Sequence, residues 1–156
     1  MEYTETLKHT TEITIKPCEL NAIDKHIEDK ISKKIDSCTE KNGYIMDIKN
    51  IRIISNTISR LSGKCIFKVK YDIVSLKPQP GHVYVGFVNI IFKEGIFVEY
   101  HNIKILIPYT SMKNWVYKTS TYTLDDRTVS VGDWIKVLIG SVRYDNHTYQ
   151  CIGSII

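Results

Sequence analysis

The sequence predicts an α+β fold made of two domains in succession. Two observations lead to this prediction: the first half changes from a strand period to a helix period and back, and the second half consists of short strands between turn signals. At 156 residues and 43% hydrophobic content, the chain is long enough to bury a core in either one or two domains. The domain count therefore depends on the sequence pattern.

The first half begins with a strand and continues into a helix. Polar and apolar residues alternate over Glu12–Lys16, and Pro17 stops the strand. Apolar residues then recur every three or four positions from Leu20 to Ile35, which predicts an amphipathic helix. We expect that helix to end near Lys41–Gly43, because an Asn-Gly pair tolerates the left-handed backbone that closes helices.

Two further strands are predicted in the first half. One covers Tyr44–Ile48 and runs on loosely to Ile54, and the other covers Cys65–Val74. The segment between them, Ser55–Gly63, is rich in turn-forming residues and is expected to be an exposed loop.

A domain boundary is predicted at Lys77–Gly81, because two prolines and a glycine cannot continue a central strand. The domains are then residues 1–78 and 79–156. The second domain has the pattern of a small closed barrel of five strands, with a loop inserted over Lys113–Arg127. Its predicted strands are His82–Phe92, Ile96–Tyr100, Lys104–Ile107, Trp134–Val142 and Tyr149–Ile155.

The second barrel strand suggests a binding surface. Ile96 and Val98 share one face, so Phe97 is expected to point outward together with Glu99. An outward aromatic ring suits stacking on a nucleic-acid base, which contributes about 1–3 kcal/mol per base without sequence preference. The alternative is that Phe97 packs against a partner subunit or the adjoining domain. Three basic residues on neighbouring strands or loops are candidates for phosphate contacts: Lys93, Lys104 and Arg143.

The second half resembles an OB fold of the ribosomal S-one type. In Pro80–Tyr100, a glycine precedes the first strand, a second glycine is followed two residues later by valine, and a turn glycine leads into an aromatic-valine strand. The segments Val131–Val137 and Ile152–Ile155 resemble the fourth and fifth strands of the same module.

The first half resembles the tip domain of the larger stalk subunit of multisubunit DNA-dependent RNA polymerases, a family that includes the archaeal E-prime protein and the seventh subunit of eukaryotic polymerase II. The similar segments are Ile13–Pro17, Cys38–Ile45, Phe67–Tyr71 and Leu76–Pro78. This resemblance implies a truncated RNP-like tip domain and an OB-fold RNA-binding domain. It also implies a heterodimer with the smaller stalk subunit and a tip loop wedged against the polymerase core and clamp.

The function implied is that of a non-catalytic stalk subunit that docks near the clamp, supports transcription initiation and guides nascent single-stranded RNA. Two residues depart from the S-one pattern: Glu94 replaces an aromatic residue before the turn glycine, and Pro108 replaces a histidine after the third strand. We therefore expect weak RNA binding. The alternatives are a free-standing OB-fold translation factor and a protein-interaction adaptor that has lost RNA binding.

Polymerase docking is predicted through the loop between the second and third strands and through the strand and linker before the boundary. Ile58 and Leu61 are apolar residues in a turn-rich segment, where exposure is costly unless a partner covers them. The predicted docking residues are Ile58, Arg60, Leu61, Tyr71 and Pro78.

No catalytic, metal or cofactor site is predicted. The four cysteines are widely scattered, without the short Cys or His spacing of a zinc site, and the five histidines lie far apart. The adjacent residues Asp125 and Asp126 are interpreted as part of a solvent-exposed turn. Trp115 and Trp134 are expected in the barrel core or an interface.

The sequence also bears on location. The formal charge of +4 and a pI near 8.8 give weak support to an anionic partner. No apolar run approaches the roughly 18–20 residues that span a bilayer, so we expect an intracellular protein without membrane contact. The expected site is the nucleus for a eukaryotic cellular protein, and the cytoplasm or virion for a protein of a large DNA virus.

Overall fold

The computed structural model describes residues 3–156, and the chain divides into two compact units between Lys77 and Pro78. Within the described residues the structure is mostly β with one α-helix, so the helical share is smaller than the predicted α+β class suggests. No helix among residues 3–156 is long and apolar enough to cross a bilayer.

The first unit is a four-stranded antiparallel sheet with a short helix. Its elements are β1 (Thr4–Ile15), a 3-10 turn (Pro17–Ala22), α1 (Ile23–Ser32), β2 (Cys38–Thr39), β3 (Gly43–Ile58) and β4 (Cys65–Leu76). The strands pair in the order β1-β4-β3-β2. Burial alternates along β1 and β4, so β-branched and aromatic side chains from one sheet face pack with the apolar stripe of α1. That core contains Ile13, Ile15, Ile27, Ile31, Ile45, Phe67, Val69, Tyr71 and Ile73.

The helix is shorter than predicted at both ends. Leu20 lies in the 3-10 turn and remains 41% exposed. After Ser32 the backbone makes tighter turns, and Asp36 adopts a left-handed φ of 69° that ends the helical path. Gly43 does adopt the predicted left-handed conformation, with φ 74°, but it begins β3 instead of closing the helix.

The predicted loop Ser55–Gly63 is strand in its first part and turn in the rest. The structure extends β3 to Ile58, and Asn56 pairs with Phe67 of β4, so the connection shrinks to residues 59–64. Register shifts at Ile45/Asp47, Lys49/Arg52 and Ile53/Ser55 interrupt the alternation along β3. These bulges explain why the sequence pattern of the strand fades before its end.

The second unit contains a closed barrel of five strands. These are β5 (Val83–Phe92), β6 (Gly95–Tyr100), β7 (Ile103–Pro108), β11 (Trp134–Asp145) and β12 (Thr148–Ile155). The barrel order is β11-β12-β7-β6-β5, closed by the β11–β5 pair, and the β12–β7 pair is parallel while the others are antiparallel. A Greek-key barrel of five strands is the OB fold. Its interior is filled by β-branched side chains, including Val88, Ile96, Val98, Ile105, Ile107, Val137 and Ile139.

The predicted inserted loop is a small sheet. Between β7 and β11 the chain forms β8 (Val116–Lys118), β9 (Thr121–Leu124) and β10 (Arg127–Val129), paired in the order β10-β9-β8. Its turns use non-glycine residues with positive φ, Thr119 and Ser120 in one turn and Asp125 in the next. Because those residues carry only a weak hairpin signal, the insert looked irregular in the sequence.

Candidate nucleic-acid interface

Phe97 lies on the outer surface of the barrel, as the alternation along β6 predicts. Its neighbours Ile96 and Val98 are 0% and 1% exposed, whereas Phe97 keeps 38% of its surface exposed. The Phe97 ring is thus presented to solvent by a strand whose other face is fixed in the core.

An apolar row runs across the barrel surface through Phe97. The strand registers pair Ile90 with Phe97, Phe97 with Leu106, and Leu106 with Ile152. Ile90 and Ile152 are 44% and 49% exposed. Outward apolar side chains on neighbouring strands form a platform against which a flat ring can pack.

A polar row runs beside the apolar one. Glu99 pairs with Lys104, Lys104 with Gln150, and Gln150 with Arg143. Arg143 donates a hydrogen bond from Nη2 to Oε1 of Gln150 over 2.5 Å. Arg143 also lies 4.0 Å from Asp145, but both side chains are largely exposed, so this ion pair holds the guanidinium only weakly.

A shallow cavity of about 470 Å³ lies where the two rows meet, within the size range of ligand sites. Its lining includes Phe97, Lys104, Leu106, Arg143, Gln150 and Ile152. The buried Cys151 also borders the cavity, and burial raises the pKa of its thiol to about 11. The cavity therefore combines an apolar floor with two cations, Lys104 and Arg143.

Lys93 lies apart from the cavity, on the turn between β5 and β6. The turn is nevertheless joined to the surface, because the ring of Phe92 meets the ring of Phe97 edge to face at 5.7 Å. The structure thus brings Phe97, Lys104 and Arg143 together and places Lys93 one turn away.

The two departures from the S-one pattern are neighbours at one edge of this surface. Pro108 is the register partner of Gly95, which follows Glu94 directly. The carbonyl of Glu94 accepts a hydrogen bond from the Tyr109 amide at 2.8 Å. This edge of the surface therefore carries an acidic residue and a proline.

The residues of this surface that were not predicted from the sequence include Leu106, Gln150 and Ile152. The alternation along β7 and β12 would have identified them as outward-facing. Their proximity to Phe97, however, follows from the parallel pairing of β12 with β7, which joins distant segments of the chain.

A second exposed aromatic group lies elsewhere on the barrel. Trp134 begins β11, pairs with Phe87 of β5, and their rings meet edge to face at 5.5 Å. Trp134 is 67% exposed, so it does not belong to the barrel core. Trp115 is half-buried in the insert, and the guanidinium carbon of Arg127 lies over its ring, 5.6 Å from the ring centroid.

The predicted docking residues divide into two groups. Ile58 and Leu61 are 70% and 102% exposed at the end of the β3–β4 hairpin, and Arg60 beside them is exposed. Tyr71 is only 2% exposed and packs in the core of the first unit, where its hydroxyl accepts a hydrogen bond from Nζ of Lys34 at 2.9 Å. Pro78 is also buried. Docking through the strand and linker around Tyr71 and Pro78 stays a prediction, and the structure shows that these two side chains are buried, unlike those of Ile58, Arg60 and Leu61.

Comparison with known proteins gives a weak but extended similarity. The chain is 28% identical to DNA-directed RNA polymerase II subunit 7 of Arabidopsis thaliana over 136 residues, which cover 81% of this chain and 76% of that protein. No protein-family model matches the sequence.

Proposed function

We propose that this chain is a non-catalytic subunit of a DNA-directed RNA polymerase, equivalent to the larger subunit of the stalk. The observation that carries the proposal is the similarity to a polymerase II subunit over 81% of the chain, a span that includes parts of both units. The OB topology of the second unit supports it, since OB barrels commonly bind single-stranded nucleic acid.

Within that role, the Phe97 surface binds nascent single-stranded RNA. The apolar row supplies a stacking platform, and Lys104 and Arg143 lie on its border. Stacking and phosphate contacts are both indifferent to sequence. Glu94 lies at one edge of the same surface, so the affinity is modest.

The first unit is an RNP-like tip domain that docks on the polymerase. Ile58, Arg60 and Leu61 are exposed at the end of a long hairpin, and apolar side chains in that position are suited to insertion between other subunits. Their partners are the polymerase core and clamp, where the stalk supports initiation, while a smaller stalk subunit completes the heterodimer. The protein acts wherever its polymerase acts, in the nucleus of a cell or in the cytoplasm or virion for a viral enzyme.

Affinity purification of the tagged chain from the cells that produce it tests this proposal. We expect the large catalytic polymerase subunits to co-purify in stoichiometric amounts, together with one small partner. Recovery with ribosomes instead would favour a translation factor, and recovery without either complex would contradict both roles.

A second candidate function, a protein-interaction adaptor without RNA binding, is favoured by the Phe87–Trp134 pair. Two further apolar side chains are exposed on the same face: Val85 on β5 at 46% and Leu138 on β11 at 39%. The face is therefore mainly apolar, and one charged residue, Lys136, lies between Trp134 and Leu138 on β11. Charge-poor aromatic surfaces are typical of protein interfaces. Retention of polymerase subunits by a chain that binds no RNA at low salt would support the adaptor.

A further inference from the structure

The turn between β5 and β6 is held from outside by the segment that follows β7. The hydroxyl of Tyr122 lies 2.6 Å from the carbonyl oxygen of Phe92 and 2.7 Å from that of Lys93, so its proton is shared between them. The next carbonyl, of Glu94, accepts the Tyr109 amide at 2.8 Å. Three successive carbonyls of one surface turn are thus bonded to groups outside that turn.

Tyr122 is itself rigidly placed. It lies on β9 at 2% exposure, between its register partners Tyr117 on β8 and Val129 on β10. Its ring also packs 5.3 Å from the ring of Tyr117. A tyrosine hydroxyl is protonated at neutral pH, and burial raises the pKa of the Tyr122 phenol further above that range. The rigidly packed ring of Tyr122 therefore holds a hydroxyl donor against the carbonyls of the β5–β6 turn.

The β5–β6 turn borders the proposed RNA surface. At its start the ring of Phe92 contacts the Phe97 ring edge to face, and the next residue, Lys93, is a cation that a bound RNA phosphate could contact. An exposed turn would otherwise satisfy its carbonyls with water and sample several conformations. Bonding to a buried side chain removes that freedom before any ligand arrives.

We propose that Tyr122 is a positioning residue for RNA binding: the small sheet inserted between β7 and β11 braces the β5–β6 turn, and thereby fixes Phe92 against the Phe97 ring and Lys93 next to Phe92. This inference rests on the proposed RNA-binding function. It assigns a role to the insert, which contributes no side chain to the described lining of the Phe97 cavity.

The test is a double-mutant cycle in the full chain, using a single-stranded oligouridylate titrated at several salt concentrations. Tyr122→Phe keeps the ring and removes the hydroxyl, and Lys93→Ala removes the turn cation. The measured quantity is the slope of log K for RNA binding against log salt concentration. If the brace positions Lys93, each substitution reduces the size of this slope by nearly the same amount, about 0.7, the value for one phosphate contact on a single strand. The slope of the double variant is then the same as that of either single variant. Tyr117→Phe, which changes the neighbouring hydroxyl in the same sheet, is the matched control and should keep the wild-type slope.

Independent, additive effects of the two substitutions, or a wild-type slope in Tyr122→Phe, would overturn the proposal. Amide hydrogen exchange separates its failure from that of RNA binding. The brace predicts faster exchange at Lys93 and Glu94 in Tyr122→Phe, with core amides of β6 unchanged. If the wild-type chain binds no RNA but this exchange pattern appears, the RNA-binding function fails while the brace stands; unchanged exchange at the turn contradicts the brace itself.

Discussion

Arg143 on β11 and Gln150 on β12 are register partners, and Nη2 of the arginine donates to Oε1 of the glutamine over 2.5 Å. Gln150 faces Lys104 on its other side, so two cations flank one amide. The row that they form lies beside the apolar row that contains Phe97. Bases stacked on that apolar row would leave their phosphates within reach of Lys104 and Arg143.

Replacing Phe97 with alanine should weaken RNA binding by about 1–3 kcal/mol, or roughly 5- to 150-fold in Kd, with a nearly unchanged salt slope. The reason is that stacking involves no counterion release. Phe87→Ala is the matched control, because Phe87 is 36% exposed and Phe97 is 38% exposed. Titration of single-stranded RNA checks this, and equal binding by Phe97→Ala and wild type would assign the ring to a protein interface.

Replacing Lys104 with alanine should flatten the dependence of log K on log salt by about 0.7, the value for one phosphate contact on a single strand. Lys136 offers a control, since it is an exposed lysine on β11 whose register partner is Val85, outside the cavity. Lys136→Ala should leave the slope unchanged. Equal slopes for the two variants would show that the charge acts only through the general field of the protein.

The outward position of Phe97 could be predicted because alternation along β6 is local and unbroken. The contact between Arg143 and Gln150 could not, since it depends on how β11 and β12 pair around a register shift at Ile139/Ser141. The exposure of Ile58 and Leu61 followed from their turn-rich surroundings. The burial of Tyr71 could have been predicted from the same kind of alternation, because Tyr71 shares one face of β4 with Phe67 and Val69 while lysines occupy the other face.

The β3–β4 hairpin should anchor the chain to its polymerase. Replacing both Ile58 and Leu61 with serine should reduce recovery of the large subunits about tenfold or more, as expected for apolar residues inserted in an interface. Because both side chains are more than two-thirds exposed, the midpoint of thermal unfolding should stay close to wild type. Leu20→Ser, an exposed leucine on the 3-10 turn, controls for general loss of surface hydrophobicity. Wild-type recovery of the polymerase by the double variant would place the anchor elsewhere.

The second unit should lose stability as the pH falls below about 6.5. Burial lowers the pKa of His82 below its ordinary value, so the unfolded chain binds a proton more readily than the folded one. The stability is fully present above the unfolded pKa and is lost as the pH falls from there through the folded pKa. In the folded chain, the His82 ring would have to take up a proton while it stays partly buried, with its Nδ1 2.8 Å from the Tyr84 hydroxyl.

Urea unfolding at pH 7.5 and 5.5 measures this effect. The pH dependence should be smaller in His82→Gln than in wild type. His147→Asn changes an exposed histidine in the β11–β12 turn and should leave the pH dependence as it is. An identical pH dependence in His82→Gln and wild type would mean that another group is responsible.

Photocrosslinking of nascent RNA in a transcribing complex that contains this chain tests the central claim most directly. With 4-thiouridine placed at successive positions behind the polymerase, we predict a crosslink to the β6–β7 segment, Gly95–Pro108, that depends on transcript length and decreases in Phe97→Ala. A transcribing complex that retains the chain in full amount, yet yields no crosslink to it at any transcript length, would contradict the account.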